Sequence, residues 1–478
     1  MSAMKKIIIL ILVALFLIAG SAAAYVFWTS PKLVEVSPTE EAKNVQAGSA
    51  VRLTFSRNML ADSVLERLSF DPPVNGSYEW QDKSLIFTPD QPWPSGAIVR
   101  VQLAVGASSD SFLSLKMRGE TDWSFEIGQP RLVYLYPAQG PANIYAYNLD
   151  TDESERLTDF LSGILDFHVN SGGTTIFFSL QNGKSGSSIY RLDLLGDDDL
   201  EPVRVLDCPQ ASCRSAQVSP AGDFIAYERT ATTGGEDPPY PQVWLLPLTE
   251  GAPDIDDADQ PDMSAAYRPA DTLNQTIAPH WSPDGTLTYY DFTQSAFVLQ
   301  DPHTDEIILF PNQTGQPGSW HPSGGVYAAP EIFFVEVEES DGTTDLDSIG
   351  SSHIILFTPE DGGTEDLTRM DTLEDTAPAF SPEGSRIAFA RKFLTIERWT
   401  PGRQLWLMDP ESGEAQQMTN DPFYNHFNFA WSPAGDKLAF VRFNQTIITE
   451  PPEIWIIDPQ TTQAALLVEG GFAPQWMP

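Results

Sequence analysis

The sequence predicts an all-β protein: an N-terminal apolar segment, a β-sandwich over residues 33–128, then a ring of seven small sheets over residues 131–478. Three observations carry this. Apolar and polar residues alternate with period two through 33–128, in short runs broken by turn residues. A turn phrase recurs after residue 131, as QVSPAGDFIAY from Gln217, HWSPDGTLTYY from His280, AFSPEGSRIAF from Ala379 and AWSPAGDKLAF from Ala430. The last segment, FAPQWMP, matches the strand that precedes that turn elsewhere, as in IAPHWSP at 277–283 and TAPAFSP at 376–382.

The N-terminus comes first. Lys5 and Lys6 precede residues 7–28, which carry no charge. About 20 apolar residues cross a bilayer as a helix, and flanking lysines stay on the cytoplasmic side. The expectation is a cytoplasmic start at 1–6, a transmembrane helix at 7–28 and an extracytoplasmic bulk, making a single-pass protein of the cell membrane. Cleavage after Ala24, at the small residues Ala22-Ala23-Ala24, is the rival and would give a secreted protein.

The sandwich follows. Candidate strands are 33–38, 50–56, 65–71, 76–82, 84–90, 98–104 and 122–128. In AVRLTFS, Val51, Leu53 and Phe55 share one face, and Arg52 and Thr54 the other. Seven short strands without a helical stretch predict two packed sheets. VSPTEEAKNVQAGSAVRLTFSRNM and SLIFTPDQPWPSGAIVRVQL resemble the opening and later strands of the SbsA-type bacterial Ig-like domain. That resemblance implies a spacer or adhesive module without catalytic residues.

The repeat region is built on its turn. Proline suits the second position of a type I turn and glycine the fourth. Ser-Pro-x-Gly therefore joins two antiparallel strands, with divergent copies at 170–178 and 321–329. Trp281, Phe380, Trp431 or Val218 stands just before the turn, where a large side chain fills the space between neighbouring sheets. A second strand type, NIYAYNL (143–149) to EIWIIDP (453–459), occurs seven times. Small sheets with two apolar faces bury them by stacking in a ring. The C-terminal strand is expected to complete the first sheet, which begins at 131–137 without its inner strand. The W-S-P-x-G, I-A-F and I-W-x-x-D elements resemble the WD40-like propeller repeats of the TolB-like family of periplasmic and related exported proteins. The resemblance implies a seven-bladed β-propeller and protein binding in the cell envelope.

Charge bounds the partners. Acidic residues outnumber basic ones 66 to 27, a net charge of −39, which repels nucleic acid and anionic lipid. Acidic runs at 196–202 and 254–262 admit cations or basic partners but lack the spacing of a calcium loop. Cys208 and Cys213, the only cysteines, stand five apart. A disulfide is expected on the exported side, with two buried thiols as the alternative.

Chemistry is sparse. His280, His321 and His426 fall on or near the strands expected closest to the ring axis, where propeller lyases hold metal. They stand at different offsets from their turns, so convergence is not expected. No nucleophile elbow precedes a helix-rich region, which argues against a peptidase. Catalytic residues, metal and cofactor are all expected to be absent. The expected function is non-catalytic: a platform for an envelope protein or glycan, with rim loops 232–276 as the contact surface. A propeller-based polysaccharide lyase or hydrolase and a structural envelope module are the alternatives.

Overall fold

The computed structural model describes residues 29–478, apart from 44, 46, 112–113, 150, 195–199, 209, 233–237, 249–265, 270–272, 305, 339–343, 371 and 478, and apart from the side chains of 335–349. The described chain separates into two compact units, Met1–Gln129 and Pro130–Pro478.

In the first unit, strands Leu33–Ser37, Val51–Phe55, Ser84–Pro89 and Gly76–Gln81 form one sheet in that order. Strands Leu68–Asp71, Ile98–Leu103 and Thr121–Glu126 form the other. The period-two pattern is realised in burial: Val51, Leu53 and Phe55 are buried, and Val99, Val101 and Leu103 oppose them across one core with Phe87, Trp93 and Phe125. One expectation fails. Residues Ala61–Leu65 form a single helical turn, so the strand expected at 65–71 starts only at Leu68. Val64 on that turn is fully buried, and its burial outweighs the weak helix propensity of a five-residue segment.

That turn also bears on the membrane placement, which is corrected. Among the described residues no helix is long and apolar enough to cross a membrane. A span needs about 20 residues, and the one at Ala61–Leu65 has five. The segment expected to span, 7–28, lies outside the described residues. The single-pass cell-membrane localisation is therefore withdrawn.

In the second unit the described strands form six sheets of antiparallel neighbours. The largest consists of two meanders joined by one parallel pair, Ser352 with Glu374. Strand Phe472–Met477 pairs antiparallel with Arg131–Tyr136 at the start of the unit. The recurring phrase is the hairpin between the first and second strands of a sheet, as between Ala211–Val218 and Phe224–Ala231.

The turn chemistry is uniform. The glycine N–H donates to the serine carbonyl three residues earlier, at 2.9 Å for Gly222 to Ser219 and 2.8 Å for Gly384 to Ser381. The glycines at 222, 285, 384 and 435 have φ of +74°, +93°, +77° and +69°, the left-handed geometry that ends such a hairpin turn. The serine does more than favour a turn. Its buried Oγ accepts an N–H at or just before the start of the next strand, from Phe224 to Ser219 (3.1 Å) and from Lys437 to Ser432 (3.0 Å).

The aromatic before the turn ties sheets together. The Trp281 indole donates to Gln217 O (3.0 Å), Trp431 to Ala379 O (3.0 Å) and Trp476 to Ala430 O (2.8 Å). Each acceptor lies two residues before the turn of the preceding repeat, so equivalent ends of adjacent sheets stand side by side. The core is accordingly divided into clusters that span neighbouring sheets. A second recurring pair places an arginine over a tryptophan: Arg229 over Trp244, Arg391 over Trp406 and Arg442 over Trp455, at 5.2, 5.0 and 3.9 Å.

Candidate functional site

The hairpin turns and the turns after the third strands emerge at one end of the sheets, and two clefts open there. The first, about 350 Å³, is lined by Asp223, Phe224, Trp281, Asp284, Asp301 and His303 among others. Three separate segments build it: the turn of one repeat, the turn of the next, and the Asp-Pro turn at 301–302. The second, also about 350 Å³, repeats the construction with His321, Val326, Phe380, Ser385, Asp409 and Glu411. In both an aromatic residue precedes the turn and an aspartate opens an Asp-Pro pair.

The carboxylates of the first cleft are positioned by the turns they serve. Ser219 Oγ donates to Asp223 Oδ1 at 2.6 Å. Thr286 N–H donates to Asp284 Oδ1 at 3.2 Å, and Ser282 Oγ donates to the same oxygen. The His303 N–H and the Thr304 hydroxyl donate to Asp301 at 2.8 Å each. These bonds, the His303 N–H foremost, hold the Asp301 carboxyl below its usual range, so it is ionised at neutral pH. His303 Nε2 lies 3.2 Å from Asp223 Oδ2, and its ring meets Phe224 edge-on. Phe224 in turn stacks near Trp281 with centroids 6.4 Å apart.

The three histidines singled out by sequence occupy three unlike settings. His426 is buried and His280 half-buried, and desolvation pulls both rings down to about 4, so they are neutral. Their Nδ1 atoms bond the carbonyls of Ala278 (3.0 Å) and Arg403 (2.8 Å). His280 stacks on Tyr327, and His426 lies against Phe440. His321 takes the place of the turn serine: its Nδ1 accepts the Ser323 N–H at 3.1 Å. Of the three it alone lines a cleft. Among the described residues no three His, Cys, Asp or Glu side chains are grouped to hold a metal.

Two half-buried carboxylates, Asp166 on strand Ile164–Val169 and Glu228 on strand Phe224–Ala231, are accounted for by the backbone. Several of the strands that precede the turns carry a bulge four residues before the turn, with positive φ at Ser215, Ala278, Ala377 and Asn428. Glu228 accepts the Ala278 N–H at 2.8 Å. Burial raises the Asp166 and Glu228 carboxyls; Asp166 receives the Ser179 hydroxyl at 2.6 Å and the Ser215 N–H. Both therefore hold backbone that would otherwise lack a partner.

Cys208 and Cys213 form a disulfide between the end of strand Val203–Cys208 and strand Ala211–Val218 of the next sheet. Of the rim loops expected to bind, 233–237, 249–265 and 270–272 lie outside the described residues. The cleft residues were missed in sequence because each reads as an ordinary turn residue. The available signal was the charge at the third turn position in SPDG and SPEG, and the recurring Asp-Pro at 301, 409 and 458.

Residues 28–127 match the model of the bacterial Ig-like domain. No curated protein matches the chain. Similar solved structures include TolB from Acinetobacter baumannii, 16% identical over 73% of this chain and 84% of that one, with a TM-score of 0.40. Another is a puromycin-hydrolyzing peptidase from Mycobacterium tuberculosis, 11% identical over 90% of this chain and 57% of that one, TM-score 0.48. A third is an oligogalacturonate lyase from Vibrio parahaemolyticus, 12% identical over 64% and 73%, TM-score 0.38.

Proposed function

We propose that this protein is a non-catalytic binding platform whose ligand, an envelope protein or a glycan, docks on the turn face of the repeat unit. The observation that carries this reading is the pair of equivalent clefts on that face, each walled by an aromatic and carboxylates. The repeat unit is read as a seven-bladed β-propeller. Its support is the seven meanders, counting two in the largest sheet, and the pairing of 472–477 with 131–136. The sandwich is read as a spacer of the SbsA type. Cross-linking in native cells, with links mapped by mass spectrometry, tests the platform. Links from one protein to segments 219–224, 281–286 and 301–303 are expected. Links that avoid this face would overturn the reading.

A second reading, a self-associating structural module, draws on the opposite strand ends. There Leu161, Phe292, Ile396, Trp399, Phe423 and Ile448 are all exposed, Ile396 by 93%. Sedimentation distinguishes the two: a platform runs as a monomer across micromolar concentrations, and a structural module assembles.

A further inference from the structure

We infer that the first cleft receives the guanidinium or ammonium of a basic side chain from a protein partner, and that the equivalent cleft receives a second one. This rests on the platform reading and supplies its ligand chemistry.

Charge argues first. Asp223, Asp284 and Asp301 line the first cleft, and the only lining group able to carry positive charge is His303, already set against Asp223. The second holds Asp409 and Glu411 beside His321. A chain of net charge −39 draws cations toward both. Shape argues next. Each cleft, at about 350 Å³, exceeds the volume of one arginine side chain and has an aromatic wall, Phe224 with Trp281 or Phe380. An aromatic face beside carboxylates suits a flat cation, which is held by charge and by the ring quadrupole.

The molecule uses this pairing internally. Arg391 lies over Phe389 and Trp406 and is gripped by Asp375 at 2.7 and 2.6 Å. Arg442 lies over Tyr424 and Trp455 while bonding Glu453 at 2.7 Å and Asp421 at 2.8 Å. The clefts offer the same kinds of group without an arginine among their lining residues. A bare divalent ion is a poorer fit, because it requires carboxylate oxygens converging on one point, and the described residues contain no such group.

The test uses the purified full-length chain. The probe is a fluorescein-labelled 12-residue Gly/Ser peptide with two arginines, compared by anisotropy with the same peptide carrying glutamines. The arginine peptide is expected to bind and the glutamine peptide to bind at least tenfold more weakly. Asp284→Asn with Asp301→Asn should weaken binding at least fivefold while keeping the Oδ1 acceptor of the backbone N–H groups at each turn. Ala221→Lys, which places a cation at the cleft without touching a turn acceptor, should do the same. Asp458→Asn, at a matching Asp-Pro turn that lines neither cleft, should stay within twofold. Equal binding of the two peptides would overturn the inference, as would equal losses from the Asp458 and cleft variants. Displacement by equimolar spermine would overturn it too, in favour of a polyamine site. If partner cross-links map to the turn face while the cleft variants keep full affinity, this inference falls and the platform stands. Links that avoid the face remove both.

Discussion

The sandwich and the repeat unit bury their apolar residues by opposite plans. In the sandwich each sheet has one apolar face, and a single cluster closes it, from Ala47 and Val51 through Phe87 and Trp93 to Ile127. In the repeat unit the sheets are apolar on both faces, and the clusters lie between neighbours: Ala388 and Leu405 of one sheet meet Trp431 and Phe440 of the next. The first plan makes stability a property of one core. The second makes it a property of seams, each pinned by polar devices at its edge. A seam can therefore be weakened locally, whereas a hole in the sandwich is felt by the whole unit.

The largest expected effect breaks the sandwich alone. Phe87 is fully buried, so Phe87→Ala should cost about 4 kcal/mol. Calorimetry should show the sandwich transition falling while that of the repeat unit holds. A shift of both by similar amounts would contradict separate cores. Next comes the one salt bridge among the described residues with both side chains under a tenth exposed, Arg391 with Asp375. Asp375→Ala leaves a buried guanidinium unpaired and should cost about 3 kcal/mol. Replacing both partners by apolar residues should recover most of the loss, as denaturant titration would show.

A seam pin is worth less. Trp431→Phe keeps an aromatic ring but removes the bond to Ala379 O, and should cost about 1 kcal/mol. Hydrogen exchange should quicken at that seam and not in the sandwich.

The smallest effect depends on pH. Burial alone would lower the His353 ring, but the hydrogen bond and charge of Asp366 at 2.8 Å, with the Met370 backbone and the charge of Asp375, together outweigh it and raise the ring above 6.5. Asp366 moves the other way: burial raises it, and the His353 bond and charge together with the Arg369 and Thr368 N–H groups more than offset this, leaving it below 3.8. The histidine contribution is whole below about 6.5 and fades as pH rises through the folded value. The aspartate contribution is whole above about 3.8 and fades below it. His353→Gln should therefore destabilise more at pH 5.5 than at pH 8.5. An equal loss at both would remove the ion pair from the account.

The same contrast explains what could be read from sequence. Alternation located the seven strands of the sandwich, because one buried face leaves a period-two trace. The helical turn at Ala61–Leu65 left none, since a five-residue segment has no period to detect. In the repeat unit the Ser-Pro-x-Gly phrase located the hairpins, and the residue before it located the seams. The bulges before the turns were hidden, because Ser215, Ala278, Ala377 and Asn428 share no residue type that announces a positive φ. The histidines drew attention for their chemistry, yet His280 and His426 are held on backbone carbonyls, and His321 stands in the serine's position with its Nδ1 on the Ser323 N–H. The clefts were illegible for a simpler reason. Asp223, Asp284 and Asp301 are brought together by packing between two repeats, and nothing local in the chain records that meeting.

The pairing of Phe472–Met477 with Arg131–Tyr136 joins segments more than three hundred residues apart. A ribosome delivers the earlier strand long before the later one. Through most of synthesis the edge of Arg131–Tyr136 that takes this strand therefore waits without its partner, and the sandwich can fold meanwhile. The nascent repeat unit carries an open strand edge until residue 477 emerges, a period in which it depends on chaperones or on speed to avoid pairing with a stranger.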